Sequence, residues 1–510
     1  MVLVICCGTV AHAQGTSANQ VSREISGGAS NPVSLAPAYS KGEFEAFVDG
    51  VVAEAMEQDD VVGLTLSIVR NGAVQLIKGY GYADLERGIP VDPYKHSFRI
   101  GSVTKTLTFT ALMQLVEKGK IQLDADVNEY LTAFKIPRAF NAPVRIRDLL
   151  THRTGFDEVY NDLFVESPQY FMSLEDWLRG NIPARIRPPG QVISYCNYGA
   201  ALAGYIVQEV SGIPYETFIE KNILEPLGMN STSARQVLGP EFPADMPDDL
   251  AANVVTTYLK KNGVLRPYHF ELVPAAPAGS ASAIAPDMAR LMLAHLNEGE
   301  LDSARILDAR TALQMRQRPY PGRSSADFTH GFRSGDFAGY KTFEHDGATW
   351  TSFTTMLMVP ELEIGIFVST NGTDGNPTPS SVAERILAKM MEGAEERELE
   401  SVALTDASAF TGNYLTTRRS HRLNTKLFTL FAGRANITES DRGTLLVTNR
   451  GETVEYRRIG TRSFKEVRGN RRISFDLGSD GRASRYYLPY GHAAMERMPA
   501  RIRVSAAPRT

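Results

Sequence analysis

The stretch "FRIGSVTKTLTFTALMQLVEKGK", residues 98–120, decides how this chain is read. A small serine, Ser102, is followed three places later by Lys105, at the start of an apolar-periodic run. Leu107, Leu112, Leu115 and Val116 recur at helical spacing until Gly119 stops them. Residues three apart share one helix face, so Ser102 and Lys105 can meet. A serine hydroxyl is a weak nucleophile near neutral pH and requires a nearby base. A lysine held partly out of water has a lowered pKa and can accept a proton. Backbone N–H groups at a helix N-terminus also point toward any anion that forms at the serine. Taken alone, Ser-x-x-Lys describes an N-cap serine beside a surface lysine just as well.

Two further stretches change that balance. "PPGQVISYCNYGAALAGYIVQEVSG", residues 188–212, places Tyr195 and Asn197 on a loop entering an amphipathic helix. A tyrosine beside an ammonium can shed or share its proton, and so act as general base and then general acid. The amide of Asn197, two residues on, can hold a substrate carbonyl. "FEHDGATWTSFTTMLMVP", residues 343–360, opens a strand with His345-Asp346-Gly347, where the glycine permits close approach of a substrate to the backbone. Cys196 lies inside the second stretch and reads as buried packing. His152, in "LLTHRTG", reads as a helix-end histidine binding carbonyls, and His330 has no identifiable partner in the sequence.

The 510 residues are too many for one compact core, so two or more domains are expected. The net charge of −4 gives no reason to expect a nucleic-acid partner. That average hides an asymmetry: residues 411–510 carry 20 Lys/Arg against 8 Asp/Glu. At the N-terminus, "MVLVICCGTVAHAQ" is a short apolar core ending in Ala11-His12-Ala13, the small-x-small pattern of a signal-peptidase site. Cys6 and Cys7 fall within it, which leaves Cys196 and no internal disulfide framework. No later apolar run approaches a membrane span. An exported chain, periplasmic or secreted, without a transmembrane segment after signal removal is expected. No Gly-x-Ser-x-Gly elbow occurs, and neither His-Glu-x-x-His nor paired Cys ligands are present, so neither an α/β-hydrolase nor a metal site is expected.

"GLTLSIVRNGAVQLIKGYGYAD", residues 63–84, alternates on both sides of Asn71-Gly72, a strong hairpin signal. Helical patterns occupy the middle of the chain and strands return at 352–370. That order implies an α+β layer whose sheet closes late. Residues 1–13 are then the signal peptide, 14–40 a flexible leader, 41–393 the main domain and 394–405 a charged linker. Residues 406–510 form an Arg-rich module of short strands with Gly/Asn/Asp turns, a small β-barrel or sandwich. Few contacts are expected to cross the linker boundary.

Ser102-Val103-Thr104-Lys105, Tyr195-Cys196-Asn197 and His345-Asp346-Gly347, in this order, resemble the three motifs of the serine β-lactamase and penicillin-binding-protein-like hydrolases. The class C β-lactamase-like branch, with its esterase and D-aminopeptidase or linear-microcystin-peptidase relatives, is the most similar. "VRIRDLLTHRTGF", "PAGSASAIAPDMARLM" and "VPELEIGIFVSTNG" extend the likeness over about residues 41–393. The resemblance implies an antiparallel sheet with a helical subdomain and a cofactor-free serine hydrolase acting through an acyl-enzyme. It implies Ser102 as nucleophile, Lys105 and Tyr195 sharing proton transfer, and Asn197 orienting the substrate. The oxyanion would sit between the N–H groups of Ser102 and Ala348, next to Gly347. His345 replaces a lysine that would pair with a β-lactam carboxylate, and is only partly charged near neutral pH. Asn197 and the strand at 348–356 could bind a backbone-like ligand as an added strand, so a peptide-like amide is the expected substrate. A carboxylesterase, a weak β-lactamase and an acylated sensor without turnover are the alternatives.

Overall fold

A computed structural model describes residues 39–498, apart from 321–326, 373–376, 395–396, 398–400, 420–432, 450, 470 and 488–492. The expected signal segment and most of the leader lie outside the described residues. The hairpin is where the sequence places it. β1 (Gly63–Arg70) pairs with β2 (Ala73–Asp84), Arg70 opposite Ala73, around Asn71 and Gly72. Both turn residues have positive φ, +51° and +71°, as a type I′ turn requires. β3 (Ile89–Pro90) extends β2 at the edge.

The sheet is completed from the far end of the domain. β4 (Asp327–Phe328), β5 (Arg333–Phe337), β6 (Tyr340–Ala348), β7 (Phe353–Val359) and β8 (Ile364–Thr370) follow. The strand order is β4-β5-β6-β7-β8-β1-β2-β3, antiparallel at every pairing. β1 is buried along its whole length because both faces are covered. Leu64, Leu66 and Ile68 face a cluster with Val48 and Val52 of α1 (Lys41–Gln58) and Ile386 of the C-terminal helix Thr378–Met390. Val69 joins the opposite cluster with the helical subdomain. That subdomain contains α2 (Thr104–Glu117), α3 (Asn197–Ser211) and α4 (Ala285–Leu296). α2 is nearly all buried, which explains its weakly amphipathic sequence.

The Arg-rich module is a closed barrel of eight antiparallel strands from Gly412–Thr416 to Ala494–Arg497. Phe410, Tyr414, Phe464, Phe475 and Tyr486 fill its interior. The expectation of few contacts across the linker does not hold. Thr417 Oγ1 donates to the Ile193 carbonyl (2.6 Å), Ala494 N to the same carbonyl (3.2 Å), and Arg472 pairs with Asp336 (2.7 Å). Val192, Ile193, Tyr195 and Phe328 share one buried cluster with Tyr487 and Ala494 of the barrel. The barrel thus supplies part of the wall against which Tyr195 is packed.

Candidate active site

Ser102 lies one step before its helix, in the single 3₁₀ turn Gly101–Val103 that leads into α2. Gly101 has φ +48°, and a Cβ there would stand 2.8 Å from the Ala348 nitrogen. A Cβ on Gly347 would meet the Ile100 carbonyl oxygen at 2.0 Å. The two glycines let the end of β6 press against the nucleophile turn, which brings Ser102 and Ala348 together. The glycine of the third motif is therefore required by backbone approaching backbone, where the sequence had suggested backbone approaching substrate.

Lys105 is fully buried on the first turn of α2. Its Nζ lies 3.0 Å from Ser102 Oγ, 2.9 Å from Asn197 Oδ1 and 2.6 Å from the Ala278 carbonyl. The last two partners are oxygens that can only accept. A neutral amine has two N–H donors and one lone pair, so those oxygens take both donors and leave the lone pair for the serine hydroxyl. Burial pushes the Lys105 pKa well below the ordinary lysine range. The Arg418 charge lowers it further, against the opposing pull of Glu158 and Cys196.

Tyr195 ends an extended segment and is buried, with Lys105 Nζ 4.8 Å from its ring centroid. The His152 ring lies 4.2 Å away, and Phe328 closes the same pocket. Burial pushes the Tyr195 hydroxyl well up, although a hydrogen bond with the Ser102 side chain and the Arg418 charge oppose this. The hydroxyl is therefore held in its protonated form, and of the two groups Lys105 is the better proton acceptor. His152, at φ +52°, accepts a hydrogen bond from Cys196 N at its Nδ1 (3.2 Å). It stands just past the end of the helix Ile146–Leu150, and its ring takes an amide hydrogen. Cys196 is buried, its thiol pushed up to about 12 chiefly by burial, and its Sγ accepts from Gly199 N as the N-cap of α3. His330 contacts the Gln314 carbonyl (3.1 Å).

His345 is buried behind the cleft and does not line it. Its Nδ1 contacts the Asp346 carbonyl (2.8 Å), and its pKa is pushed down to about 3, mainly by burial and next by Lys105. It is a neutral ring at physiological pH. Asp346 does line the cleft, tied to Arg333 (2.6 Å) and to Thr355 Oγ1 (3.0 Å).

The cleft encloses about 340 Å³ and is bounded by Ser102, Tyr195, Asn197 and Ala348 on its polar side. Leu163, Phe164, Val273 and Phe353 supply apolar walls. One lining residue escaped sequence reasoning altogether. Arg418, just after the first barrel strand, enters the cleft with its guanidinium carbon 4.9 Å from the Tyr195 ring centroid. Its Nε donates to Oε2 of the buried Glu158 (3.0 Å). A second unanticipated support is Arg153, whose Nη2 donates to both carboxylate oxygens of Asp327 at 2.8 and 2.9 Å with both side chains buried. It ties the His152 loop to β4. Among the described residues, no cluster of His, Cys, Asp and Glu could hold a metal ion.

Residues 48–390 match the protein family described as Beta-lactamase. The chain belongs to the β-lactamase family. Among curated β-lactamase-family relatives, Penicillin-binding protein 4 of Amycolatopsis lactamdurans is 29% identical over 293 residues, 54% of this chain and 72% of that protein. The penicillin-binding protein PbpX of Bacillus subtilis (strain 168) is 32% identical over 197 residues, 38% of this chain and 47% of its own length. The match to PbpX therefore spans under half of that relative. The octameric penicillin-binding protein homologue from Pyrococcus abyssi superposes with a TM-score of 0.58 at 23% identity, covering 90% of this chain and all of that one. The D-amino acid amidase from Ochrobactrum anthropi gives 0.56 at 22% identity, covering 69% and 99%. At such identities the structural likeness establishes the fold.

Proposed function

We propose that this chain is a serine hydrolase that cleaves a peptide-like amide or an ester through an acyl-enzyme. The observation that carries the reading is the Lys105 amine, buried and hydrogen-bonded to two acceptor-only oxygens, with Ser102 Oγ as its third partner. Ser102 Oγ attacks the carbonyl carbon while its proton passes to Nζ of Lys105. The oxyanion is received by the N–H groups of Ser102 and Ala348. As the tetrahedral adduct collapses, the leaving group takes that proton back, with the Tyr195 hydroxyl as relay. Water then attacks the acyl ester by the same proton path and frees Ser102. The part given to Tyr195 is that of a protonated relay and not of a tyrosinate base, in keeping with its raised pKa. Asn197 serves first to orient Lys105.

The neutral, buried His345 supports an amidase or esterase over a β-lactamase, since it offers no cation to a β-lactam carboxylate. A peptide or small-molecule substrate, met outside the cytoplasm after removal of residues 1–13, belongs to the same proposal. The test is labelling by a fluorophosphonate, followed by turnover of a p-nitrophenyl ester. Wild-type protein should label stoichiometrically and then turn over steadily, and Ser102→Ala should do neither. Undiminished labelling of Ser102→Ala would remove the serine from the mechanism. A stoichiometric burst followed by silence would make the protein a sensor.

A further inference from the structure

A buried carboxylate beside the cleft has no part in the proton path described above. Glu271 is 3% exposed and lies on the loop that carries Val273 of the cleft wall and Ala278, whose carbonyl takes an N–H of Lys105. Its Oε1 accepts from the Trp350 N–H at 2.6 Å, and its Oε2 from Thr351 Oγ1 at 3.3 Å. Both donors sit in the turn 349–352 between β6 and β7, which starts directly after Ala348. Within that turn Thr349 N donates to the Ser352 carbonyl (2.9 Å). Thr349 Oγ1 accepts from the N–H groups of Thr351 (3.3 Å) and Ser352 (3.1 Å). The turn is thus closed on itself, and Glu271 fixes where it stands against the rest of the cleft. Arg99 ties Glu271 in turn to the nucleophile, three residues before Ser102. Its buried guanidinium donates from Nη1 to the Glu271 carbonyl (2.5 Å) and from Nη2 to the Gly279 carbonyl (3.4 Å). The Arg99 carbonyl accepts from Thr354 Oγ1 of β7 (3.4 Å). Burial pushes the Arg99 guanidinium down to about 10, and the Glu271 charge opposes this. A buried carboxylate is tolerated when it is hydrogen-bonded and faced by a cation, and both conditions hold here.

We propose that Glu271 is a positioning residue for the oxyanion hole: by holding the turn 349–352 it aims the Ala348 N–H at the substrate carbonyl oxygen. Neither Glu271 nor Arg99 belongs to the three motifs, and together they pin the Ser102 turn, the Ala278 loop and the end of β6 to one another. The assignment rests on the hydrolase reading given above, yet it can fail separately. An oxyanion donor stabilises the transition state only when it is already aimed at the place where charge develops. With the turn released, the Ala348 N–H loses its aim, while the apolar walls that bind the ground state stay in place. The loss then falls on kcat and leaves KM nearly alone.

Reach and charge can be separated at this position. Glu271→Gln keeps an oxygen in reach of the Trp350 N–H without the charge, and the Thr351 hydroxyl can accept from the new amide. Glu271→Asp keeps the charge but is one methylene short, and Glu271→Ala has neither. With p-nitrophenyl acetate, Glu271→Asp and Glu271→Ala should lower kcat by about 10- to 100-fold at little-changed KM, less than the loss of an entire oxyanion donor. Glu271→Gln should stay within a few-fold of wild type in kcat. Its lost charge should show instead as a lower thermal midpoint, because Arg99 is then buried unopposed. Phenylboronic acid reads the same geometry without turnover. Ser102 Oγ bonds to boron, its proton passes to Lys105, and a boronate oxygen enters the oxyanion hole. The inhibition constant should rise in step with the fall in kcat for Glu271→Asp and Glu271→Ala, and stay near wild type for Glu271→Gln. A role in folding alone would move the thermal midpoint and leave kcat and the inhibition constant where they are. Circular dichroism establishes which variants are folded, and if one is not, the other two decide. A wild-type kcat in Glu271→Asp, or a loss in Glu271→Gln as large as in Glu271→Ala, overturns the positioning role. Wild-type protein that neither labels with fluorophosphonate nor turns over the ester overturns the hydrolase reading, and this assignment with it.

Discussion

Glu158→Gln is the most telling single change in the electrostatics of the site. The carboxylate is buried, lies 3.0 Å from Arg418 Nε, and acts on Lys105 in the direction opposite to Arg418. Lys105 Nζ and the Arg418 guanidinium are 4.8 and 4.9 Å from the same Tyr195 centroid, so they stand at most about 10 Å apart. At an effective dielectric of about 20, unit charges at that distance interact by roughly 1.7 kcal/mol, or a little over one pKa unit. Glu158, paired with Arg418, acts over a similar range. Replacing it by glutamine keeps an oxygen for Arg418 but leaves the guanidinium charge uncompensated. The ammonium form of Lys105 is then disfavoured further, and its pKa falls. Because the free amine is the working base, the rate rises as pH climbs through that pKa. The acidic limb of kcat/KM for a neutral ester should therefore move to lower pH by on the order of one unit. Of the other groups facing Lys105, Tyr195 and Cys196 also lose the upward push of the Glu158 charge, but both remain held up chiefly by burial, and the neutral His345 is held down mainly by burial. The profile is measured from pH 5 to 9 with p-nitrophenyl acetate. A limb that stays in place, or moves upward, would show that the base does not feel this pair.

Tyr195→Phe and Lys105→Ala should each lower kcat by at least about 100-fold, and the double variant by little more, because groups passing one proton act as a unit. Additive losses in the double variant would separate their roles. Asp327→Asn leaves the Arg153 charge buried without its partner, which should destabilise the folded protein by about 3–5 kcal/mol in chemical denaturation. A loss below about 1 kcal/mol would mean that water reaches the pair.

What the sequence disclosed and what it withheld divide along physical lines. The Asn71-Gly72 hairpin, α2, α3 and the strand at His345 are local patterns, and local patterns are written in consecutive residues. The eight-stranded barrel was legible as short strands, but closure depends on the first and last strands pairing, which alternation does not encode. Arg418, Glu158, Arg153 and Asp327 were invisible for a sharper reason. A charged residue at a strand end or in a loop reads as solvated until a distant segment is placed against it. The helix-end position of His152 and its positive φ are local features, whereas its Cys196 partner comes from tertiary packing. Gly347 was noticed for its missing side chain, and the structure adds the Ile100 carbonyl as a neighbour that a Cβ would meet.

The cluster joining Ile193 and Tyr195 to Tyr487 and Ala494 also sets the order of events as the chain is made. Arg187, just before the second motif, and its partner Glu496 in the last barrel strand are separated by 309 residues. Synthesis from the N-terminus delivers the serine, the lysine and the tyrosine long before the strand that packs beside the tyrosine. Until that strand arrives, the apolar face behind Tyr195 stands open. The loop that must then close is among the longest in the molecule, and its entropy is lost in the step that completes the cleft. A nascent chain of this design carries its three motifs early and the last wall of its cleft late.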